Sequence, residues 1–285
     1  MQYPLISEYV DAIRSAEDNF DKLCDLRPVL DGNGNPVMSS GNFAVVFKMK
    51  DVKTGKLYAV KCFTREQEGR AEAYKQISEA ISNIDKSSYL LSVTYYEKEL
   101  FVDSTQTDET EFPVLLMDWV DGLSLDAYTN KISDNKIKLE QLADNFQELV
   151  CWLLMQPFAH GDLKPDNILV KDDGSIILLD YDGMYVPSMA GQVSRENGTP
   201  FYKHPLMKKT DFNSHIDDYA ALKILLILKA MTVEYRYYDA FLQDDSQEFI
   251  SQFLCLSNNK QLSIALAAFI NVNTEGCIEP QKIHS

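Results

Sequence analysis

The segment at residues 160–167 constrains this chain more than any other, because it places a carboxylate, an ammonium and an amide in register before an apolar run. It reads His-Gly-Asp-Leu-Lys-Pro-Asp-Asn, and the apolar residues 168–170 follow directly. A second apolar run comes after Asp-Asp-Gly at 172–174, and two apolar runs around Asp-Gly predict a β-hairpin. A hairpin returns the chain to its start. We therefore expect Asp180 to lie near Asn167.

This segment resembles the catalytic loop of the protein-kinase superfamily, whose pattern is H-R-D-L-x-x-x-N. The resemblance implies that Asp162 accepts the proton of the attacking hydroxyl and that Lys164 offsets charge on the transferred phosphate. It also implies that Asn167 and Asp180 hold Mg²⁺, with Asp180 in the place of the family's D-F-G aspartate. The alternative interpretation is a polar turn before a buried strand. That interpretation does not explain why eight consecutive residues lie in register with the family pattern.

Two departures from the family pattern bear on mechanism. Asp180 is followed by Tyr181, Asp182 and Gly183, so a carboxylate replaces the expected glycine and the glycine comes one residue late. Asp182 could bind the ion, repel the nucleotide or face solvent, and we favour a solvated turn residue. Gly161 replaces the arginine that in the family receives the activation-loop phosphate. The resemblance therefore implies activity that does not depend on phosphorylation of that loop.

A lysine upstream resembles the family residue that contacts the α- and β-phosphates of ATP. Lys61 lies in an alternating segment at 57–63, which predicts a strand and is similar to the family's V-A-I-K. In the family this lysine pairs with a glutamate of the next helix, which we predict at 65–84. Three glutamates share one face of that helix, and we favour Glu72 because apolar residues adjoin it.

The resemblance implies further contacts to the nucleotide. Residues 39–47 fit the frame G-x-G-x-x-G-x-V with two of the three glycines replaced by small residues, and Gly41 and Val46 keep the frame. Such a loop is stiffer than one with three glycines. A later strand resembles the one that enters the family's hinge. Met117 takes the gatekeeper place there, and the backbone from Asp118 to Val120 would bind the adenine edge.

Segments downstream of the catalytic loop also match the family in order. Residues 198–205 resemble G-T-P-x-Y-x-A-P, which closes the activation loop and forms a substrate platform. Leu206 stands where the family's A-P-E glutamate would be, and the only arginine after it, Arg236, comes too early to be the usual partner. Both ends of a buried ion pair are thus absent together, which avoids an unpaired buried charge. Asp217 resembles the D-x-W-S aspartate and would hydrogen-bond the catalytic-loop backbone.

Charge and cysteine usage exclude several function classes. The net charge of −16 disfavours nucleic acid and anionic membrane surfaces, because phosphate backbones require a basic footprint. Five widely spaced cysteines without a C-x-x-C pair indicate reduced thiols and a cytoplasmic setting. The N-terminus lacks a basic-then-apolar signal segment. The longest apolar stretch, near residues 220–231, is too short to span a bilayer.

We predict an α+β, two-lobed protein-kinase-like fold. An accessory amphipathic helix and a turn occupy 1–36, a small β-rich N-lobe 37–118, and a mainly helical C-lobe with a shortened C-terminal end 119–285. The accessory helix spans 1–25, strands lie near 43–50, 56–63, 91–98 and 112–118, and C-lobe helices lie at 139–155 and 216–231.

The resemblance implies an ATP- and Mg²⁺-dependent kinase that transfers the γ-phosphate to a Ser or Thr hydroxyl of a protein. Lys164, two residues after Asp162, and Thr199 favour Ser/Thr over Tyr acceptors by family analogy. One alternative is a small-molecule phosphotransferase of the aminoglycoside- or choline-kinase type, in which His-Gly-Asp also occurs. Another is a pseudokinase scaffold, which the altered glycine loop, Asp182 and Leu206 favour. The sequence leaves open the substrate, the oligomeric state and whether the natural protein continues past residue 285.

Overall fold

The computed structural model describes residues 2–41, 43–84, 88–204 and 206–233. The chain divides into two compact units, Met1–Asp121 and Gly122–Ser285. The first is dominated by an antiparallel sheet and the second by helices, so the predicted α+β class is confirmed. The predicted shortening of the C-terminal end falls on residues 234–285, which lie outside the described residues.

The first unit is built on one antiparallel sheet in the order β1-β3-β4-β6-β5, with β2 paired to β3. Each of the four predicted strands forms within three residues of its expected ends, because alternating apolar residues bury one face of the sheet. The two shortest strands, β1 and β2, were not predicted. The bounds are β1 Leu26–Pro28, β2 Met38–Ser40, β3 Ala44–Asp51, β4 Leu57–Phe63, β5 Val93–Phe101 and β6 Glu111–Asp118.

The predicted N-terminal helix packs on this sheet as two shorter helices, α1 Ile6–Arg14 and α2 Ala16–Asn19. The single helix predicted over 1–25 is wrong because Ser15 leaves the helical region, with φ −112° and ψ 46°. Tyr9 is fully buried, and its hydroxyl donates to the carbonyl of Phe63 at 2.7 Å. The two helices therefore complete the core of the sheet.

Helix α3, Arg70–Ser82, starts five residues later than predicted. Gly69, directly before it, has a left-handed backbone with φ 73°, which glycine adopts without steric cost and which no helix continues through. Arg70 is buried over the ring of Phe63 at 4.0 Å, and its guanidinium donates to the hydroxyl of Tyr3 at 3.3 Å. The N-terminal segment therefore contacts the first turn of α3.

The second unit pairs two long helices beside a small sheet. The sheet has the order β7-β8-β9 and contains the predicted hairpin. Lys229 of α6 donates to Asp144 of α5 at 2.6 Å, which joins the two helices at the surface. The bounds are β7 Leu123–Ser124, α4 Leu125–Lys131, α5 Lys136–Leu154, β8 Ile168–Val170, β9 Ile176–Leu178 and α6 Asp218–Val233.

Two expectations about bilayers and thiols apply to the part of the chain that the structure describes. None of the helices in that part combines the length and the apolar character needed to cross a membrane. The three cysteines described, Cys24, Cys62 and Cys151, are free thiols. Burial raises the pKa of Cys62, which makes this thiol a packing residue rather than a nucleophile.

Candidate active site

Asp217 holds the start of the candidate catalytic loop. Its side chain is buried at the start of α6, and its carboxylate accepts hydrogen bonds from the backbone N–H groups of His160 and Gly161, the latter at 2.9 Å. Burial raises the pKa of Asp217, and the interactions with His160 and the two N–H groups oppose that rise. The predicted contact between Asp217 and the loop backbone is confirmed.

Asp162 lies at the centre of a set of hydrogen-bond donors. One carboxylate oxygen accepts from the backbone N–H and the hydroxyl of Thr199, at 3.0 and 2.9 Å. The other oxygen lies 3.1 Å from Nζ of Lys164 and accepts from Nδ2 of Asn167 at 3.2 Å. The structure thus brings together the three residues that the sequence predicted as catalytic, and adds Thr199 to them.

The hairpin returns the chain to the catalytic loop as the sequence predicted. Strands β8 and β9 pair Ile168 with Leu178, and the backbone N–H of Leu179 donates to the carbonyl of Asn167 at 2.8 Å. Asp180 therefore follows directly on a residue that is bonded to Asn167. The Asn167 amide uses its nitrogen in its bonds to Asp162, so its oxygen is not consumed by them.

Asp180 has the only positive φ among the non-glycine residues of the described structure, 64°. Such a backbone is strained for most residues and less so for aspartate, and it persists where the surroundings fix it. Here the preceding carbonyl of Leu179 accepts from Nε2 of His160 at 2.7 Å, and the following Tyr181 is buried with its ring 5.9 Å from that imidazole. Asp182 is half-buried, so it is not a fully solvated turn residue as we favoured.

The imidazole of His160 acts as a structural donor. Its Nε2 bonds the Leu179 carbonyl, while its Nδ1 is buried without a hydrogen-bond partner among the residues described. The Leu179 carbonyl can only accept a hydrogen bond, so this contact places a proton on Nε2.

Within the first unit, the candidate nucleotide residues lie on three neighbouring strands. Lys61 on β4 is 5% exposed and pairs in register with Val46 on β3. Met117 on β6, the predicted gatekeeper, is buried opposite Ala59 of β4. The order β3-β4-β6 therefore places these side chains on adjacent strands.

The candidate nucleotide residues before β3 and after β6 lie next to backbone hydrogen bonds of the sheet. Gly41 begins a tight turn between β2 and β3, in which its N–H donates to the carbonyl of Ala44 at 2.9 Å. Beyond β6, the N–H of Trp119 donates to the carbonyl of Leu57 at 3.1 Å. That N–H is used within the sheet, and Asp118 and Val120 stay the predicted backbone positions for the adenine edge.

Glu72 is an exposed residue of α3, and its carboxylate accepts from the side-chain amide of Gln76 at 2.9 Å. The bond joins residues one turn apart on the same helix, which is a common surface arrangement. The contact to Gln76 uses one carboxylate oxygen, Oε1. The pairing of Glu72 with Lys61 stays a prediction.

Comparison with known proteins decides the family. The model that describes the protein kinase domain matches residues 35–267. The chain belongs to the protein-kinase family. The match covers more than half of the chain and includes both the strand that carries Lys61 and the loop that carries Asp162.

Curated relatives of this kinase domain are distant and longer. A CBL-interacting serine/threonine-protein kinase of Arabidopsis thaliana is 24% identical over 205 residues, which is 68% of this chain and 40% of that protein. A serine/threonine-protein kinase of Drosophila melanogaster is 27% identical over 203 residues, 67% of this chain and 25% of that protein. The chain thus spans less than half the length of these relatives.

The sequence did not predict every contact of this kinase domain. It identified the segment containing Thr199, but not the two hydrogen bonds from Thr199 to Asp162. The only available signal was the Gly-Thr-Pro order at 198–200. Leu206, in the place of the A-P-E glutamate, is 80% exposed, so no buried counter-charge is needed there. Arg236, the other residue of that expectation, lies outside the described residues.

Proposed function

We propose that this kinase domain transfers the γ-phosphate of ATP to a serine or threonine hydroxyl of a protein substrate. One observation carries the proposal: a carboxylate, an ammonium and an amide, from Asp162, Lys164 and Asn167, meet within 3.2 Å on one loop. A catalytic base, a phosphate contact and a metal ligand are what phosphoryl transfer requires of the protein.

Asp162 would accept the proton of the substrate hydroxyl as the new bond to phosphorus forms. To do so it must offer an oxygen to the hydroxyl, and the oxygen it shares with Lys164 and Asn167 is the better placed. The other oxygen is bonded twice by Thr199, which fixes the orientation of the carboxylate. Lys164 would then stabilise the charge that develops on the transferred phosphate.

Asn167 and Asp180 would hold Mg²⁺ in this proposal. Their donor atoms, one amide oxygen and one carboxylate, fit the preference of Mg²⁺ for a few protein oxygens together with phosphate oxygens and water. Within the described ranges, no group of three or more His, Cys, Asp or Glu residues is suited to hold a metal ion. The metal, when bound, would neutralise charge on the phosphates.

The first unit would supply the ATP contacts. We assign Lys61 to the α- and β-phosphates, and the backbone of Asp118 and Val120 to the adenine edge. Gly41 and Val46 would lie along the nucleotide, and Met117 would stand behind the base. Glu72 would support Lys61 by pairing with its ammonium. These roles follow from the family resemblance and from the strand positions described above.

A serine or threonine acceptor is favoured over tyrosine by two observations. The relatives described above carry serine/threonine-protein kinase in their names. In addition, the hydroxyl and the N–H of Thr199 both donate to Asp162, so the Gly-Thr-Pro segment that the family analogy associates with Ser/Thr acceptors is held directly at the base.

A thermal-shift titration with ATP tests nucleotide binding first. ATP with Mg²⁺ at about 100 times its Kd should stabilise the wild type by about 2.7 kcal/mol. Asp180→Ala should lose the part of the shift that depends on Mg²⁺. A wild type without any shift in either condition would overturn the proposed function and favour a scaffold.

A transfer assay with labelled ATP and a Ser/Thr peptide mixture tests the chemistry. Asp162→Asn keeps the shape of the side chain but removes the base, so the rate should fall by about 10²–10⁴-fold while ATP binding is retained. Equal rates for this variant and the wild type would contradict the role of Asp162. Labelling of a small-molecule acceptor in place of the peptides would instead favour the phosphotransferase alternative.

A further inference from the structure

Gly161 occupies a position that no other residue type can fill without moving the backbone. Its φ is +86°, and a Cβ built on it would lie 1.8 Å from the carbonyl oxygen of Gly183 and 2.4 Å from the carbonyl carbon. Both obstructing atoms are backbone, so no side-chain rotation relieves the overlap. The residue before Asp162 is therefore in direct contact with the segment that follows Asp180.

The contact is tight from the other side as well. A Cβ on Gly183 would lie 3.1 Å from the carbonyl carbon of Gly161 and 3.2 Å from its oxygen. The overlap is milder than at Gly161, and the backbone of Gly183 is not in the left-handed region. The restriction is thus severe at Gly161 and moderate at Gly183.

Hydrogen bonds on both sides keep the two glycines together. The N–H of Gly161 is bonded to the buried carboxylate of Asp217 at 2.9 Å, so Gly161 cannot withdraw. Ala159 and Tyr185 exchange two backbone hydrogen bonds, at 3.0 and 2.9 Å. The chain after Asp180 is therefore held against the chain before Asp162 at two successive points.

We propose that Gly161 is a positioning residue that admits the backbone of Gly183 against the catalytic loop and so fixes Asp180 relative to Asp162. Two positions at which the sequence departs from the family pattern contact each other. One is Gly161, in place of arginine, and the other is Gly183, one residue later than the family's glycine because Asp182 precedes it. The segment is held by shape and backbone bonds, without a charged side chain at 161. This inference rests on the proposed function for its catalytic meaning.

Substitution of Gly161 by alanine, with a matched control, tests the contact. Gly191→Ala is the control, because Gly191 has nearly the same φ, +83°, but nothing lies within 4 Å of its Cβ position. Both variants carry the same backbone strain, and only Gly161→Ala adds the overlap. Gly183→Ala is the milder test of the same contact.

Hydrogen exchange on the protein without nucleotide is the primary measurement. The amides of Ala159 and Tyr185 should exchange about tenfold faster or more in Gly161→Ala, and should be unchanged in Gly191→Ala. Amides in the middle of α6 serve as the reference for global stability and should not change in proportion. Equal exchange at Ala159 and Tyr185 in both variants would overturn the proposal.

Nucleotide binding separates positioning from mere structure. Gly161→Ala should lose most of the Mg²⁺-dependent part of ATP stabilisation while it keeps the Mg²⁺-independent part, and Gly191→Ala should keep both. If Gly161→Ala does not fold, Gly183→Ala decides: faster exchange at Tyr185 supports the contact, and wild-type exchange refutes it. If the wild type does not bind ATP, the proposed function is wrong. The exchange comparison would still decide whether Gly161 holds Gly183 in place.

Discussion

The two units of this kinase domain hold their candidate residues in different ways. In the sheet unit, Lys61 and Met117 lie within continuous strands whose neighbours and buried core set their position. In the helical unit, Asp162 and Asp180 lie outside the strands and helices, and hydrogen bonds and close backbone contacts hold them. Position comes from apolar burial in one case and from polar contacts in the other.

This difference predicts which substitutions should lower stability and which should mainly affect the catalytic loop. Apolar burial contributes energy in proportion to the area removed from water, spread over many side chains. A hydrogen-bonded loop depends on a few groups, and a buried donor that loses its acceptor costs free energy by itself. Substitutions in the sheet core should therefore weaken the unit as a whole, whereas substitutions at the loop should act on a few atoms near Asp162.

The largest expected loss of stability comes from a substitution in the apolar core of the sheet unit. Ile13→Ala should lower the free energy of unfolding by about 2–5 kcal/mol, because Ile13 is fully buried and the change leaves a cavity. Chemical denaturation measures the loss. Ile137→Ala is the control: this side chain is 77% exposed, and its loss should stay within about 0.5 kcal/mol. Similar losses for both variants would contradict the assignment of α1 to the core.

A somewhat smaller loss of stability is expected when a hydrogen-bonding group of the catalytic loop is changed. Asp217→Asn should cost about 2–3 kcal/mol, because two backbone N–H groups of the catalytic loop lose a charged acceptor in a buried place. The same denaturation experiment measures it, and transfer activity should fall with it. Asp218→Asn, at the next position, removes a first-turn charge of α6 and a contact to the exposed His215, and should cost no more than about 1 kcal/mol. If the two variants lost equal stability, Asp217 would not be holding the loop.

The smallest effect concerns a surface carboxylate of the sheet unit and depends on pH. Hydrogen bonds from Thr105, Leu5 and Ser104 lower the pKa of Glu8 from 4.5 to about 2. A lowered folded-state pKa gives stability that is present above pH 4.5 and is lost as the pH falls towards 2. The Tm advantage of the wild type over Glu8→Gln should therefore shrink across that window. An advantage that stayed constant with pH would show that the charge of Glu8 is not responsible.

Much of the fold could be predicted from the sequence, since the strong local signals were also the correct ones. The hairpin ending before Asp180 follows from Asp-Gly between two apolar runs, and β3, β4, β5 and β6 follow from alternation. Strands of two or three residues that are not marked by such a hairpin turn, such as Leu123–Ser124, carry too little pattern to detect. The late start of α3 was missed because the left-handed backbone of Gly69 outweighs the helical periodicity around it.

Within the candidate site, contacts inside one loop could be predicted from the sequence and contacts between distant segments could not. The spacing within one loop was enough to predict that Asp162, Lys164 and Asn167 meet, because all three lie on six consecutive residues. The contact of Gly161 with Gly183 depends on two segments 22 positions apart, and local pattern does not encode the distance between their backbones. The environment of Glu72 likewise depends on the rotation of α3, which begins later than the periodicity indicated.

The two N-terminal helices have a consequence for how this domain can be inherited. The family pattern begins at residue 35, yet Tyr9, Ile13, Ala16 and Phe20 belong to the buried core of the sheet. A gene rearrangement that moved only residues 35–267 into another protein would separate the sheet from these four side chains and uncover an apolar face. A segment that keeps this core covered must therefore be longer than the family signature and must include helices α1 and α2.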